Sequence, residues 1–500
     1  MPSISALIAN CPVSLRPRKA WQEQSIQTLT TDSRQTGPNS CFVCMKGWIT
    51  DGHRFAPDAY AAGCRCFFTE EPLQLPADAN VIPFPDMRAA LPWLAQAFYG
   101  FPQEGMRIVG ITGTKGKTTV AWLLYEVLAH CGLPCGIIGT VGIRYGTVHL
   151  ESKNTTPDPL TLYQTLAKMK NAGVQTVLME VSSQALLTHR VDSLSFDTAI
   201  YTNLSNDHVS AFEHPSFANY KACKMRLFRQ CDFAVLNRDD AYFGTFAAAT
   251  PVPYETYGFS PQANWRIEQN DPTEQSFRLY HGPTGVQVPF SMPGPFNLQN
   301  AAAVLCTCEH LGVAVQKAAP LLALCTVPGR FERVEGLPGI SCIIDYAHNG
   351  ASAELVLRCA RKQNPRRLIV LYGSVGGRTQ LRREELGTVC AELADFSILT
   401  ADNPDFEDPQ TICNEIASFY DDPKRYIIIP DRANAINYAI HIAQPGDMLL
   451  FLGKGHETYQ LIRGIRQPFC ERELIRAAIQ QRLSLHPPAQ EHLTREEGKL

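Results

Sequence analysis

Short apolar runs recur along the chain: RIVGIT (107–112), CGIIGT (135–140), TVLMEV (176–181), DTAIYTNL (197–204) and FAVLN (233–237), then CIIDYA (342–347), RLIVLYG (367–373), FSILTAD (396–402), RYIIIP (425–430) and DMLLFLG (447–453). Each is too short for a stable helix and rich enough in aliphatic and β-branched residues for a buried strand, and amphipathic stretches separate them. This rhythm predicts an α/β fold, with parallel sheets covered by helices. Two turn-rich stretches interrupt it, YGFPQEGMR at 99–107 and TVPGRFERVEGLPG at 326–339. They divide the chain into a small N-terminal α/β domain (1–100), a central domain (101–329) and a C-terminal Rossmann-like α/β domain (330–488), followed by a loose polar tail (489–500).

The run RIVGIT leads directly into GTKGKTT at 113–119. A strand that opens through a glycine-rich loop into a helix is a phosphate-binding arrangement: backbone N–H groups turn toward phosphate oxygens and the helix presents its positive end. Gly113, Thr114, Lys115, Gly116, Lys117, Thr118 and Thr119 are the candidate ATP-binding residues, with Lys117 the cation for the β and γ phosphates and Thr118 a hydroxyl for Mg²⁺. The loop is a shortened variant, since the common pattern has glycine where this chain has Ile111. The apolar positions Val120, Leu123, Leu124, Val127 and Leu128 continue it as a helix. The central domain is therefore expected to be a P-loop ATPase-type sheet.

Composition narrows the setting. Five hundred residues, 45% hydrophobic and 19% charged, describe a multidomain globular protein, and a formal net charge of −3 gives no surface suited to nucleic acid or membrane. No apolar run is long enough to span a bilayer and the N-terminus lacks the features of a signal peptide, so a cytoplasmic location is expected. Seventeen cysteines include the close pairs Cys41/Cys44 and Cys64/Cys66. These read either as zinc ligands or, since both lie in strand-like apolar segments, as small buried hydrophobes; the second reading is preferred.

Two further residues stand at predicted strand ends. Glu180 closes TVLME, where a carboxylate could complement a Mg²⁺ held by Thr118, and His208 follows in TNLSNDH. A histidine in such a place is often structural.

The ordered set GTKGKTT, MEVSS, TNLSNDH, YKACKMRLF, GPFNLQNAAA, VPGRFERV, DYAHN, DNP and GKGHE resembles the Mur ligase family across almost the whole chain. The segments TTDSR, DGHRF and NTTPDP are similar to those of members that add the third amino acid to a UDP-muramoyl peptide. The resemblance implies an ATP-dependent amide ligase that joins a diamino acid to UDP-N-acetylmuramoyl-L-alanyl-D-glutamate, acting as a monomer. The alternative it leaves is a ligase of the same architecture with a different carboxylate acceptor.

Position by position, the resemblance implies catalytic roles for Lys117, Lys224, Glu180 and His208, with two Mg²⁺ ions held by Thr118, Glu180, His208 and a carbamylated Lys224. Read without the family, Lys224 would be an unmodified surface lysine. Asn297, Asn300, Arg330, Asp345 and His348 would complete the ATP site between the second and third domains. Ser33 and Arg34 would meet the UDP end, and Asn154, Thr155, Thr156, Ser182 and Arg190 the muramoyl peptide, although such residues also suit turns and caps. Arg383, Asp402, Asn403, Asp405, Gly453 and Glu457 would bind the amino acid.

The chain also departs from the family's pattern. Gln184 replaces a common histidine, Ser210 a common aspartate, and GSVGGRTQLRR lacks the acid usual after its paired glycines. In DNPD, Asp405 stands where an arginine would clamp the distal carboxylate of diaminopimelate. An acid there implies a preference for lysine or a similar diamino acid with one carboxylate.

Overall fold

A computed structural model describes residues 1–13, 21–47, 50–206, 213–269, 271, 275–377 and 380–485. His208, Ser210 and the expected tail at 489–500 lie outside the described residues.

The N-terminal sheet is parallel, in the order β1 (Thr28–Thr30), β2 (Ser40–Cys44), β3 (Cys66–Thr69), β4 (Asn80–Pro83). Its two faces are buried separately, one with Cys41, Val43, Cys66 and Phe68, the other with Phe42, Cys44, Cys64 and Phe67. That alternation is the period-2 signature of a strand covered on both sides. The two cysteine pairs are thus split between opposite faces. Burial pushes the Cys44 thiol up to about 12 and the Cys64 thiol up to about 11. They behave as the small hydrophobes expected, and among the described residues the one group with metal-ligand geometry, Asp51, His53 and Glu71, contains no cysteine. All seventeen cysteines are free thiols, and only Cys11, Cys131 and Cys470 are even partly exposed.

The central sheet contains eleven strands. In chain order these are β5 (Arg107–Thr112), β6 (Cys135–Gly139), β7 (Gly142–Tyr145), β8 (Val148–Leu150), β9 (Thr176–Glu180), β10 (Phe196–Tyr201), β11 (Cys231–Asn237), β12 (Tyr254–Gly258), β13 (Trp265–Glu268), β14 (Ser276–His281) and β15 (Thr284–Pro289). The parallel core runs β12-β11-β10-β5-β9-β6, with β5 between β9 and β10. Chain order reverses at β5, so the mouths of β5, β9 and β10 open into one crevice, where ligands of such sheets bind. Antiparallel ribbons extend both edges: β7 and β8 beyond β6, and β14 and β15 beyond β13. The expected parallel sheets are present, and these ribbons are additions to them. They lie at sheet margins, carry exposed positions, and are closed by turns at Gly146 and Gly282, both with positive φ.

The chain separates into two compact units. One runs to Cys325 apart from short segments near 271–275 and 292–294, and the second comprises those segments and residues from Thr326 onward. The second unit carries a six-stranded sheet, β16 (Glu332–Val334), β17 (Ser341–Asp345), β18 (Leu368–Tyr372), β19 (Phe396–Leu399), β20 (Tyr426–Ile428) and β21 (Met448–Leu452), ordered β16-β17-β21-β18-β19-β20. All but β16 are parallel. A hairpin, β22 (Tyr459–Ile462) and β23 (Ile465–Pro468), follows. Among the described residues, no helix is long and apolar enough to cross a membrane.

Candidate active site

The phosphate loop leaves β5 at Thr112 and enters the helix Lys117–His130 through Gly116, which caps it at φ +85°. Val120, Leu123, Leu124, Val127 and Leu128 of that helix are all buried. Glycine is required at 113: its φ is +153°, and a Cβ there would lie 1.9 Å from Thr202 Oγ1. The shifted glycine of the shortened motif thus lets the loop pass against the end of β10. Asn203 Oδ1 accepts from Lys115 N–H, and the Thr202 hydroxyl donates to the Lys115 carbonyl. The loop is therefore braced from the neighbouring strand.

Two lysines converge on the loop. Lys117 Nζ donates to the carbonyls of Gly113 (2.8 Å) and Thr114 (3.0 Å), and Lys224 Nζ donates to the same Gly113 carbonyl at 2.8 Å. Lys224 is buried, not on the surface, and lies over the Tyr220 ring. Beside them, Glu180 at the mouth of β9 is fully buried, and its Oε2 accepts from the Thr118 hydroxyl at 2.9 Å. Thr140, just past β6, gives Glu180 its backbone N–H (2.7 Å) and its hydroxyl (3.2 Å), and meets Thr155 Oγ1 at 3.1 Å. The sequence reading passed over Thr140. Its signal was position alone: it ends a strand adjacent to the one that carries Glu180.

A cavity of about 220 Å³ opens here, lined by Lys117, Asn154, Thr155, Ser182, Ser183, Gln184, Arg190, Glu213, His214 and Lys224. Thr156 is buried against this wall, its hydroxyl donating to the Glu180 carbonyl while its own carbonyl accepts from Arg190. His214, also passed over, joins Ser183 and Asn219 through its two ring nitrogens. Asn297 and Asn300 sit on the helix Pro295–His310, and Asn300 Oδ1 would meet a Cβ at Gly116 at 2.7 Å, which places it against the loop. Ser33 and Arg34 lie on a turn after β1 and do not line the cavity; the exposed Arg34 forks onto Asp32.

The second unit gathers another set at the mouths of β17, β19 and β21. Asp345 is buried and accepts N–H groups from Phe331 and Ala347; burial raises its pKa. Arg330 stacks on Tyr346, and His348 Nδ1 lies 2.8 Å from the Tyr346 carbonyl. Asp402, Asn403, Gly453 and Glu457 come together around a further buried residue, Lys454. Asp405, in a left-handed conformation at φ +53°, accepts from Gly464 N–H in the β22–β23 turn. Arg383 has partners of its own in this unit. It is buried with its terminal nitrogens on Glu407 and Glu415, two acids the sequence reading did not consider, so its charge is already answered within the protein.

Comparison with known proteins settles the family. Residues 25–99 match the Mur ligase family catalytic domain, 111–308 the Mur ligase middle domain, and 329–455 the Mur ligase glutamate ligase domain. The chain belongs to the Mur ligase family. This Mur ligase is 37% identical over 472 residues to the UDP-N-acetylmuramoyl-L-alanyl-D-glutamate–2,6-diaminopimelate ligase of Geobacillus thermodenitrificans, covering 91% of the chain and 95% of that protein. It is 34% identical to the ligase of the same name from Syntrophomonas wolfei, covering 94% and 97%. A solved structure of a ligase with that name superposes with a TM-score of 0.68 at 28% identity, covering 92% of this chain and 96% of that one. MurF from Acinetobacter baumannii, at 18% identity and a TM-score of 0.61 over 95% and 98%, shares the fold. The three-domain architecture and the ATP-dependent ligase class follow for this chain.

Proposed function

We propose that this Mur ligase is a cytoplasmic enzyme that adds a diamino acid to UDP-N-acetylmuramoyl-L-alanyl-D-glutamate in peptidoglycan precursor synthesis. The observation that carries the reading is the junction in the first unit. Lys117, Thr118, Glu180 and Lys224 gather at the phosphate loop, and Lys117 and Lys224 line a cavity walled by Asn154, Thr155, Ser182 and Arg190. Relatives bearing that name, 37% and 34% identical over almost the full chain, support the substrate.

The chemistry follows from need. A carboxylate is a poor electrophile, so the D-glutamyl carboxylate of the substrate takes the γ phosphoryl group of ATP to become an acyl phosphate, which the amine then attacks, releasing phosphate. Lys117 and the loop N–H groups hold the phosphates and offset the repulsion between two anions. Arg190 and the threonines hold the peptide end. Asn297 and Asn300 are the first unit's further candidates for ATP, and Arg330, Asp345 and His348 are those of the second unit. Ser33 and Arg34 take the UDP end, and Asp402, Asn403 and Glu457 receive the amino acid.

The donors at the loop fit Mg²⁺: the Thr118 hydroxyl and Glu180 carboxylate are hard oxygen ligands 2.9 Å apart. With His208 and a carbamylated Lys224 they would hold two ions, which supply charge neutralisation to phosphoryl transfer. The Lys224 amine, buried beside the loop, would become an anionic ligand on carbamylation.

L-Lysine or a similar mono-carboxylic diamino acid is the favoured acceptor, because Asp405 adds a negative charge where a second carboxylate would arrive. Meso-diaminopimelate, named for the relatives, is the alternative. The test is phosphate release and product mass with ATP, Mg²⁺, the UDP-muramoyl dipeptide and a panel of diamino acids. Release that requires both dipeptide and diamino acid is expected. No release across the panel would point to a ligase with another carboxylate acceptor.

A further inference from the structure

Lys454 is fully buried, an unusual place for an ammonium group. Its Nζ donates to Asn403 Oδ1 at 2.9 Å and to Glu457 Oε2 at 2.6 Å, and stands 3.9 Å from Asp402 Oδ1. The consequences reach beyond one ion pair. Asn403 Oδ1 also accepts from Leu461 N–H, so the amide can face only one way, with Nδ2 donating to Glu457 Oε2 at 3.0 Å. Glu457 Oε1 accepts from the Tyr346 hydroxyl. Behind Asp402, Arg432 and Glu471 form a fully buried pair, with Arg432 also donating to the carbonyls of Ala401 and Leu452, so they neutralise each other. Around Lys454, two carboxylates face one ammonium, which leaves one negative charge. A lysine that served only to fill the core would not need two directional bonds to Asn403 and Glu457.

We propose that Lys454 is a positioning residue of the amino-acid half of the site: it fixes Asn403 and Glu457 and trims two carboxylates to the single negative charge that one ammonium group of an incoming diamino acid matches. This rests on the function proposed above. Without Lys454, the two acids would repel each other and the Asn403 amide would lose its fixed direction.

The test uses full-length protein with Lys454→Met and Lys454→Arg, measuring KM separately for ATP, the UDP-muramoyl dipeptide and L-lysine. In each variant KM for the amino acid is expected to rise by about tenfold or more, with the other two within about twofold. Glu457→Gln added to Lys454→Met should cost less than the product of the two single effects, because the lysine acts through that carboxylate. Equal rises in all three KM values, no rise for the amino acid, or failure of both variants to fold would each overturn the proposal and make Lys454 a structural residue. A wild type that turns over no diamino acid would instead remove the proposed function, and this inference with it. Wild-type turnover with unmoved KM values would remove only the inference.

Discussion

The carboxylate of Glu180 is buried among donors, yet those donors are themselves parts of the proposed site: a loop hydroxyl from Thr118 and an amide from Thr140. Glu180→Ala should therefore separate two costs. Orphaning the Thr140 amide should lower unfolding free energy by about 1–3 kcal/mol. Losing a metal ligand in phosphoryl transfer should lower kcat by about a hundredfold or more. Denaturant melts beside steady-state rates check both; near wild-type turnover would place the metal elsewhere. For Lys224, carbamylation predicts that Lys224→Ala loses most activity and regains part of it with added short carboxylic acids, and full activity without them would refute it. At Asp405 the side chain has a second duty as acceptor for the Gly464 turn, so Asp405→Asn, which keeps an acceptor and tolerates positive φ, is a cleaner probe than arginine. The wild type should favour L-lysine over meso-diaminopimelate in kcat/KM, and Asp405→Asn should narrow that ratio by about tenfold. A wild type that prefers meso-diaminopimelate would end the argument from charge.

Strand ends, more than whole strands, position this chemistry. Gly139 ends β6 with no room above it: a Cβ would sit 2.3 Å from Glu180 Oε1, although its backbone is not in the left-handed region. Gly139→Ala should thus leave the sheet intact and displace the carboxylate, lowering kcat by about tenfold or more for a small change in melting temperature. Equal loss of both would mean that the glycine serves only the fold. The parallel core was legible because strands buried on both faces read as unbroken apolar runs, from RIVGIT to DMLLFLG. The phosphate loop was legible because glycine and lysine spacing there is set by a ligand. The marginal ribbons and the β22–β23 hairpin were not, since β8 and β23 carry exposed, polar positions that look like loop. Thr140 and Lys454 were not legible either. A threonine after a strand or a lysine between glycines gains meaning only when another strand brings Glu180 or Asp402 alongside. The ion pairs of Arg383 were not legible for the same reason, since Glu407 and Glu415 lie 24 and 32 residues further along the chain.

At the scale of the molecule, two compact units with separate sheets should not melt as one. Calorimetry is expected to show more than one transition, and Mg²⁺–ADP at about a hundredfold over its Kd should add about 2.7 kcal/mol to the unit that binds it. A single two-state transition would refute this. The distribution of sulfur adds an experimental handle. Fourteen of the seventeen thiols are buried and spread through the cores of both units, and burial holds Cys135 near 12 and Cys390 near 12, far from the thiolate form that reacts. Alkylating reagents should therefore find few targets in the native enzyme and many in any opened state, so that adduct mass counted against time, mapped by peptide, becomes a clock for local opening in each unit without any introduced label. The same chemistry makes air an enemy of refolding: once unfolded, the chain offers its full complement of thiols to wrong pairings, and recovery of activity should depend on a reductant being present throughout.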